Sequence, residues 1–314
     1  MSRRHAILAL VALAGLAAAP AIMPAYYLGL LTKSLIFGLF AMSLNLLLGK
    51  AGLATFGHSL YFGTSAYTVA FLSLRLGVTS FWLNAALALA VAGILSVLVV
   101  PLTLRARGTY YGMITLAIAQ VAWGIAHGWR SVTGGDDGMP GLNRPVLAAM
   151  NFAGEVPFYY FALVVCAVCA LAIAVLVASP FGHALIGTRE NETRMRVLGY
   201  NVWRYQFAAS IVAGLFAGVA GLLFAYFTGY VSPVYLSVTM SAQTLLMVVL
   251  GGSTALFGPV LGALIIVLLD NLVSYVTEHW LFVLGVVYVL VTLFAPRGLW
   301  PLLFRRRKRG ATPS

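Results

Sequence analysis

Apolar runs of about 17–25 residues recur along this chain, separated by short polar breaks. As an α-helix, a run of that length covers a hydrocarbon core roughly 30 Å thick. The runs lack the ten-residue alternation of a barrel strand, and in lipid every backbone N–H and C=O has to be satisfied inside the segment. They therefore read as helices, with spans expected at 6–24, 27–48, 53–74, 81–104, 109–129, 157–178, 205–229, 236–251, 259–277 and 281–296. Hydrophobic residues make up 62% of the chain and charged residues 8%, against roughly a quarter charged in soluble domains, which excludes an ordinary soluble enzyme. The expected fold is all-α, a polytopic membrane protein of about ten transmembrane helices with Gly-broken or re-entrant segments. One membrane domain is expected over 1–304, followed by a basic tail, 305–314.

The net charge of +12 invites a nucleic-acid reading, but its placement assigns it to topology. With the N-terminus inside, 15 of the 19 Lys and Arg residues fall on the cytoplasmic side, including Arg105, Arg107 and the run Arg305–Arg309. Only Arg75, Arg130 and Arg144 fall outside, and Lys33 lies within a span. Lys/Arg bias of this kind sets orientation. Both termini are accordingly expected in the cytoplasm, with the tail against anionic lipid and no nucleic acid as partner. Arg3 and Arg4 ahead of an apolar stretch that ends in small residues also resemble a signal peptide. A retained first helix is expected, and the charge bias is the same either way.

The most highly charged insert among these spans is 179–204, SPFGHALIGTRENETRMRVLGYNVWR, which concentrates Arg189, Glu190, Glu192, Arg194, Arg196 and Arg204. Ser179-Pro180 should end the preceding span, because Pro disfavours helix in the residue before it. A short helix is expected over 183–198. Glu190–Arg194 and Glu192–Arg196 would pair at i,i+4 in the favourable order, each contributing about 0.2–0.5 kcal/mol. Gly199 is placed to stop that helix in the left-handed conformation, and Leu185, Met195 and Leu198 to supply apolar contacts. Such an insert is either a solvated loop stabilising itself or a docking surface for an external motor.

Several segments in order resemble the permease subunits of branched-chain amino acid ABC transporters. In the inner loop the resemblance is carried by Pro180-Phe181-Gly182, Arg189-Glu190-Asn191-Glu192 and Leu198-Gly199. Elsewhere it is carried by SLNLLLGKAGLATFGHSLYFGTSAY (43–67), RGTYYGMITLAIAQ (107–120), TGGDDGMPGL (133–142), VVLGGSTALFGPVLGA (248–263) and APRGLW (295–300). The resemblance implies an importer permease half in the bacterial inner membrane, paired with a second homologous permease. It further implies two cytoplasmic ATPases docked on coupling loops and a periplasmic substrate-binding protein. In this chain Pro180, Gly182, Arg189, Glu190, Glu192, Arg194 and Gly199 would form the coupling loop. No G-x-x-x-x-G-K-[ST] occurs, so no cofactor is expected here and ATP would bind to a partner subunit.

Polar residues inside spans are costly in lipid and usually face a bundle interior or a cavity. Asn45, Gly57, His58, Thr115, Gln120, Gln243 and Asp270 are the candidates for a substrate pathway, with Asn271 beside Asp270. Gly49, Gly52, Gly57 and Gly63 punctuate the segment around His58, where tight packing is the alternative reading. GLATFGHSLYFG (52–63) and GSTALFGPVLG (252–262) look alike, as in transporters built from repeats. Lys33 and Asp270 each lie about 9–10 Å below the outer ends of their spans by helix rise. At a common depth they are expected to pair, since an isolated charge at a helix centre costs about 2.5–3.5 kcal/mol. The resembling family usually carries a Pro-Glu pair near Asp270-Asn271, so a substrate role for Asp270 does not follow from the resemblance.

In the outer loop Thr133, Gly134 and Gly135 open a Gly-rich stretch with Asp136 and Asp137. It reads as a flexible turn, or as a contact with the binding protein or an outer gate; oxygen ligands at calcium-loop spacing are lacking. The histidines at 5, 58, 127, 183 and 279 have no metal-ligand spacing. Cys166 and Cys169 lie within one span and read as packing residues. The expected function is therefore a transport subunit without catalysis of its own, moving Leu, Ile or Val by resemblance. A urea, short-amide or aromatic-acid importer of the same family is the near alternative, and an ion-coupled secondary carrier the distant one.

Overall fold

The computed structural model describes residues 14–276 apart from 22, 148, 149 and 153, together with 282, 285, 286, 289 and 298–300. About half of the first expected span, most of the last, the tail 305–314 and the question of a cleaved leader lie outside the described residues. Ahead of the first complete helix, residues 14–21 are helical.

Long apolar stretches become long helices, several with internal Gly and one with an internal Pro, Pro101. Helix α1 (Ala25–Asn45) continues without a cap into a π-helix, Leu46–Ala51, which stops at Gly52 with φ +75°. Residues 52–58 are not helical, so the expected span 53–74 is shortened to α2 (Ser59–Leu74). Then follow α3 (Phe81–Thr103), α4 (Thr109–Gly128) and α5 (Glu155–Ala178). The polar insert holds α6 (Pro180–Glu190) and α7 (Glu192–Val197), and α8 (Val202–Thr228) returns through the bundle. Last come α9 (Val238–Gly251) and α10 (Gly258–Val276).

Four stretches among the described residues are long and apolar enough to cross a membrane: Ala25–Ala51, Phe81–Thr103, Glu155–Ala178 and Val202–Thr228. They differ in surroundings. The first and last are 78% and 61% buried within the protein, whereas the middle two are 22% and 28% buried. Thus α1 and α8 form the centre, and α3 and α5 turn most of their surface outward to lipid or a partner.

Small residues on α8 allow this packing. A Cβ on Gly221 would run into the Phe62 carbonyl of α2, and one on Gly214 into Ser96 of α3. Ser65 donates to the Gly218 carbonyl at 2.7 Å across the same seam. Above it Phe37, Phe40, Phe62 and Phe224 meet at ring-centroid distances of 4.5–5.5 Å for Phe40–Phe62, Phe37–Phe224 and Phe62–Phe224.

α9 spans about 21 Å by helix rise and cannot cross alone. The chain reaches it through Tyr230–Val231 and a 3₁₀ turn, Pro233–Leu236. Irregular backbone at membrane depth is tolerated where protein covers it; here Pro233 and Leu236 are buried. Ser59 at the start of α2 donates to the Leu236 carbonyl (3.1 Å), while Ser241 of α9 donates to Ser59 Oγ (2.8 Å). The beginnings of the two shortened helices are therefore fastened together inside the bundle, which is the broken, re-entrant architecture expected.

Candidate functional site

Ser179 is the N-cap of α6, with Pro180 at its first position, and its hydroxyl accepts from Gly182 N–H at 3.4 Å. The insert thus begins where the sequence predicts. A Cβ on Gly182 would collide with the Val177 carbonyl, so the sharp reversal requires glycine there.

The single helix expected over 183–198 is two. Asn191 adopts an extended backbone (φ −159°, ψ 101°) and its side chain accepts from Arg194 N–H at 2.9 Å, which ends α6 and caps α7. Asn competes with helix by such local bonds. The break undoes one expected charge pair: Glu190 and Arg194 now belong to different helices, and no salt bridge joins them among the described residues. Glu192–Arg196, within α7, forms at 3.1 Å. Glu192 also accepts from Gln206 Nε2 of α8 (3.1 Å) and lies 3.8 Å from Arg107 Nη1, so it ties the loop to two other elements.

α7 closes as expected on Gly199, φ +86°. Gly199 N–H reaches the Arg196 carbonyl and Tyr200 N–H the Met195 carbonyl, both at 3.0 Å, which is the Schellman pattern. Nothing lies within 4 Å of a Cβ built on Gly199, so the backbone conformation alone selects glycine.

The two helices face different surroundings. Leu185 of α6 is fully buried among Leu46, Leu47, Ala51, Ala209 and Ala213. Met195 packs on Ala184 and Val202 beneath α7. Leu198, expected with Leu185 and Met195 to supply apolar contacts, is 64% exposed, and Val197 is 84% exposed. Tyr200 and Trp203 are exposed beside them, with Arg194 and Arg196 around. The loop therefore presents an apolar tip within a charged collar on a rigid mount.

Arg189 turns the other way. Its Nη1 donates to the Gly49 carbonyl at 2.6 Å, in the last turn of the π-helix, where carbonyls lack intrahelical partners. A cation there also complements the negative end of the helix dipole. Beside it Lys50 Nζ donates to the Thr254 carbonyl and Asn45 Nδ2 to the Ala255 carbonyl, each at 2.9 Å. Asn45, a candidate for the substrate pathway, is thus engaged with the turn between α9 and α10.

The other pathway candidates do not assemble into one site. Gly57 and Thr115 meet: a Cβ on Gly57 would strike the Thr115 carbonyl, and Thr115 Oγ1 accepts from Phe56 N–H at 3.1 Å. His58 is fully buried, stacked on Phe40, with Nε2 2.8 Å from Ser43 Oγ. Ser43 donates its own proton to the Phe40 carbonyl (2.7 Å), so Nε2 carries the hydrogen and Nδ1 is left as a buried acceptor with no hydrogen-bond partner among the described residues. Gln120 is exposed on α4, in line with Tyr110, Met113, Ala117 and Gly124, and Gln243 is half-buried. Asp270 and Lys33 pair at 3.2 Å, as their depths predict, and Tyr26 donates to Asn271 Oδ1 at 2.8 Å alongside.

A cavity of about 10 Å³ lies between Thr55, Gly57, Tyr61, Thr103, Tyr111, Thr115 and Ser210. It holds one water at most and no amino acid.

The outer loop is built rather than loose. Met139–Pro140 pairs antiparallel with Tyr230–Val231, and Gly141 and Leu142 N–H groups reach the Gly229 carbonyl at 3.1 and 3.0 Å. Thr133 Oγ1 donates to the Trp129 carbonyl (2.8 Å), and Gly134 and Gly135 take positive φ. Asp136 Oδ1 lies 2.7 Å from His127 Nδ1, close enough for charge attraction though poorly aligned for a hydrogen bond. Among the described residues no group of three metal-ligating side chains occurs, and Cys166 and Cys169 are free.

Comparison with known proteins follows the same lines. The family described as branched-chain amino acid transport system / permease component matches residues 26–292. The permease protein LivM of a high-affinity branched-chain amino acid transport system from Escherichia coli is 30% identical, over 86% of this chain and 69% of its own length. Its counterpart from Salmonella typhimurium is 29% identical over the same shares. A probable branched-chain amino acid transport permease protein LivM from Methanocaldococcus jannaschii is 25% identical over 63% of this chain and 61% of its own. No solved structure matches the chain. The matched region runs from the start of α1 past α10 and contains the insert, the junction beneath it and both broken segments, so this multi-pass membrane protein belongs to the branched-chain amino acid transport system permease family.

Proposed function

We propose that this chain is the transmembrane subunit of an ATP-driven importer of branched-chain amino acids, driven through the tip of α6–α7 by a cytoplasmic ATPase. One observation carries the reading: Val197 and Leu198, 84% and 64% exposed, stand at the end of a loop whose other side is clamped into the bundle. With Tyr200 and Trp203 exposed beside them they make an apolar patch within a polar rim, the kind that marks a protein contact. The Lys/Arg bias sets the insert and both termini in the cytoplasm, where an ATPase reaches them. ATP binds in that partner, and this chain performs no chemistry of its own.

Leu, Ile or Val is the proposed cargo, because the relatives are named for branched-chain amino acid transport. The passage would open between this chain and a second homologous permease. The outward face of α4, with Gln120 amid small and apolar residues, fits that interface, since an unpaired amide is costly against lipid. A periplasmic binding protein would meet the outer loop around Thr133–Gly135, in a bacterial inner membrane. The Lys33–Asp270 pair disfavours an ion-coupled carrier, because it commits the span's carboxylate to a fixed cation.

The test is uptake of labelled leucine into proteoliposomes holding this chain with its second permease, ATPases and binding protein. ATP-dependent uptake that Val197→Asp abolishes is expected. Uptake by this chain alone under an ion gradient overturns the reading. Competition by urea rather than isoleucine would reassign the cargo.

A further inference from the structure

Under the loop, three side chains donate to three backbone carbonyls that no helix or strand uses. Arg189 holds Gly49 at 2.6 Å, Lys50 holds Thr254 at 2.9 Å and Asn45 holds Ala255 at 2.9 Å. Each bond joins segments far apart in sequence. Lys50 is 8% exposed and forms no salt bridge among the described residues, so the Thr254 carbonyl is its principal partner. The fit is close as well as polar. A Cβ on Gly49 would strike both the Ser253 carbonyl and Asn45 Oδ1, and Gly298 packs against the backbone of Gly252. Leu299 N–H adds a 2.8 Å bond to the Leu250 carbonyl.

We propose that Arg189, Lys50 and Asn45 are positioning residues of the transport cycle, a tie that carries displacement of α6 to the turn 252–257 at the loop-side end of α9 and α10. The proposal rests on reading the loop as the driven surface and names the route inward from it. The chemistry suits the task. A bond to a main-chain carbonyl moves the chain itself, where a contact between two flexible side chains would be absorbed by rotamer change, and charged donors make the strong version of that bond.

The π-helix Leu46–Ala51 sits in the middle of the route. Single π turns inside helices recur at functional sites. Returning the π-helix Leu46–Ala51 to α geometry moves the Gly49 carbonyl by about 1.5 Å along the axis and rotates it away from Arg189. Lys50, on the same turn, carries that shift to Thr254.

Lys50→Gln and Arg189→Gln in the assembled complex test the tie. Leucine taken up per ATP hydrolysed is read in proteoliposomes, and hydrogen exchange of peptides covering 249–258 is read with and without ATP and vanadate. The expected result is complexes that assemble and hydrolyse ATP, with uptake per ATP lowered at least tenfold and the ATP-dependent exchange change in 249–258 abolished. Arg189→Lys, which keeps the cation, should recover part of the ratio. Wild-type uptake per ATP in Lys50→Gln or in Arg189→Gln overturns the proposal, as does an exchange change that persists in both. If the glutamine variants fail to assemble, Arg189→Lys decides: a merely structural staple lowers its yield but leaves uptake per ATP unchanged, which also overturns the tie. Failure of the underlying reading looks different, since Val197→Asp would then bind ATPase and transport normally.

Discussion

Leu185 and Val197 belong to the same polar insert, yet one is fully buried and the other 84% exposed. α6 uses its apolar residues as an anchor, against the end of α1 and the start of α8. α7 keeps Met195 for that purpose and spends Val197 on the outside. The contrast separates two jobs that one helix would mix. A lever needs a rigid attachment at one end and a free face at the other, and the break at Asn191 gives each end its own helix.

The contrast is most exposed to failure at the anchor. Leu185→Asp would place an uncompensated carboxylate among Leu46, Leu47 and Ala213, and should abolish a monodisperse peak in detergent size-exclusion chromatography. A well-folded Leu185→Asp protein would mean that α6 is not an anchor. Val197→Asp should do the opposite, leaving the apparent Tm within about 2 °C because an exposed change is usually worth less than 0.5 kcal/mol. ATPase copurification should fall at least tenfold; unchanged binding would remove the tip from the docking surface.

Gly199→Val comes next in size. A β-branched residue in the left-handed region costs about 1–2 kcal/mol, with nothing to clash against. The strain should fray α7 alone, raising hydrogen exchange over 192–200 and halving uptake or more while insertion is unaffected. Glu192→Gln should have the smallest effect. It weakens the bonds to Arg196 and Arg107 but can keep the one from Gln206, and exposed ion pairs contribute about 0.2–1 kcal/mol. Uptake at low and high salt should differ less in this variant than in the wild type. Away from the loop, Lys33→Met with Asp270→Asn should be less impaired than the two single changes combined, because the double variant leaves no unpaired charge in the span.

Much of the fold was legible beforehand because a bilayer imposes length. The ends of α3, α4 and α8 fall within a few residues of their expected positions, and Ser179-Pro180 and Gly199 mark the insert by local chemistry alone. The break at Asn191 was missed because a favourable run of i,i+4 charges concealed a residue that caps as well as it continues. Gln206, Arg107, Gly49 and Lys50 were not singled out as parts of the loop's machinery, since their partners come from distant segments. The lone Lys at the end of a span was the available signal for one of them.

The candidate pathway shows the deeper limit. Asn45, Gly57, His58 and Thr115 are buried, while Gln120 is exposed and Asp270 only half so. Sequence fixes which residues lie in the membrane, and with the charge bias it fixes which loops share a side. It does not say which face of an apolar helix meets lipid and which meets protein, because both environments reject water and so accept the same side chains. Only the tertiary packing decided that α1 and α8 are central, and that Arg189 spends its charge on the backbone of another helix. Those choices depend on close approach and hydrogen-bond geometry between segments far apart in the chain, which no local pattern encodes.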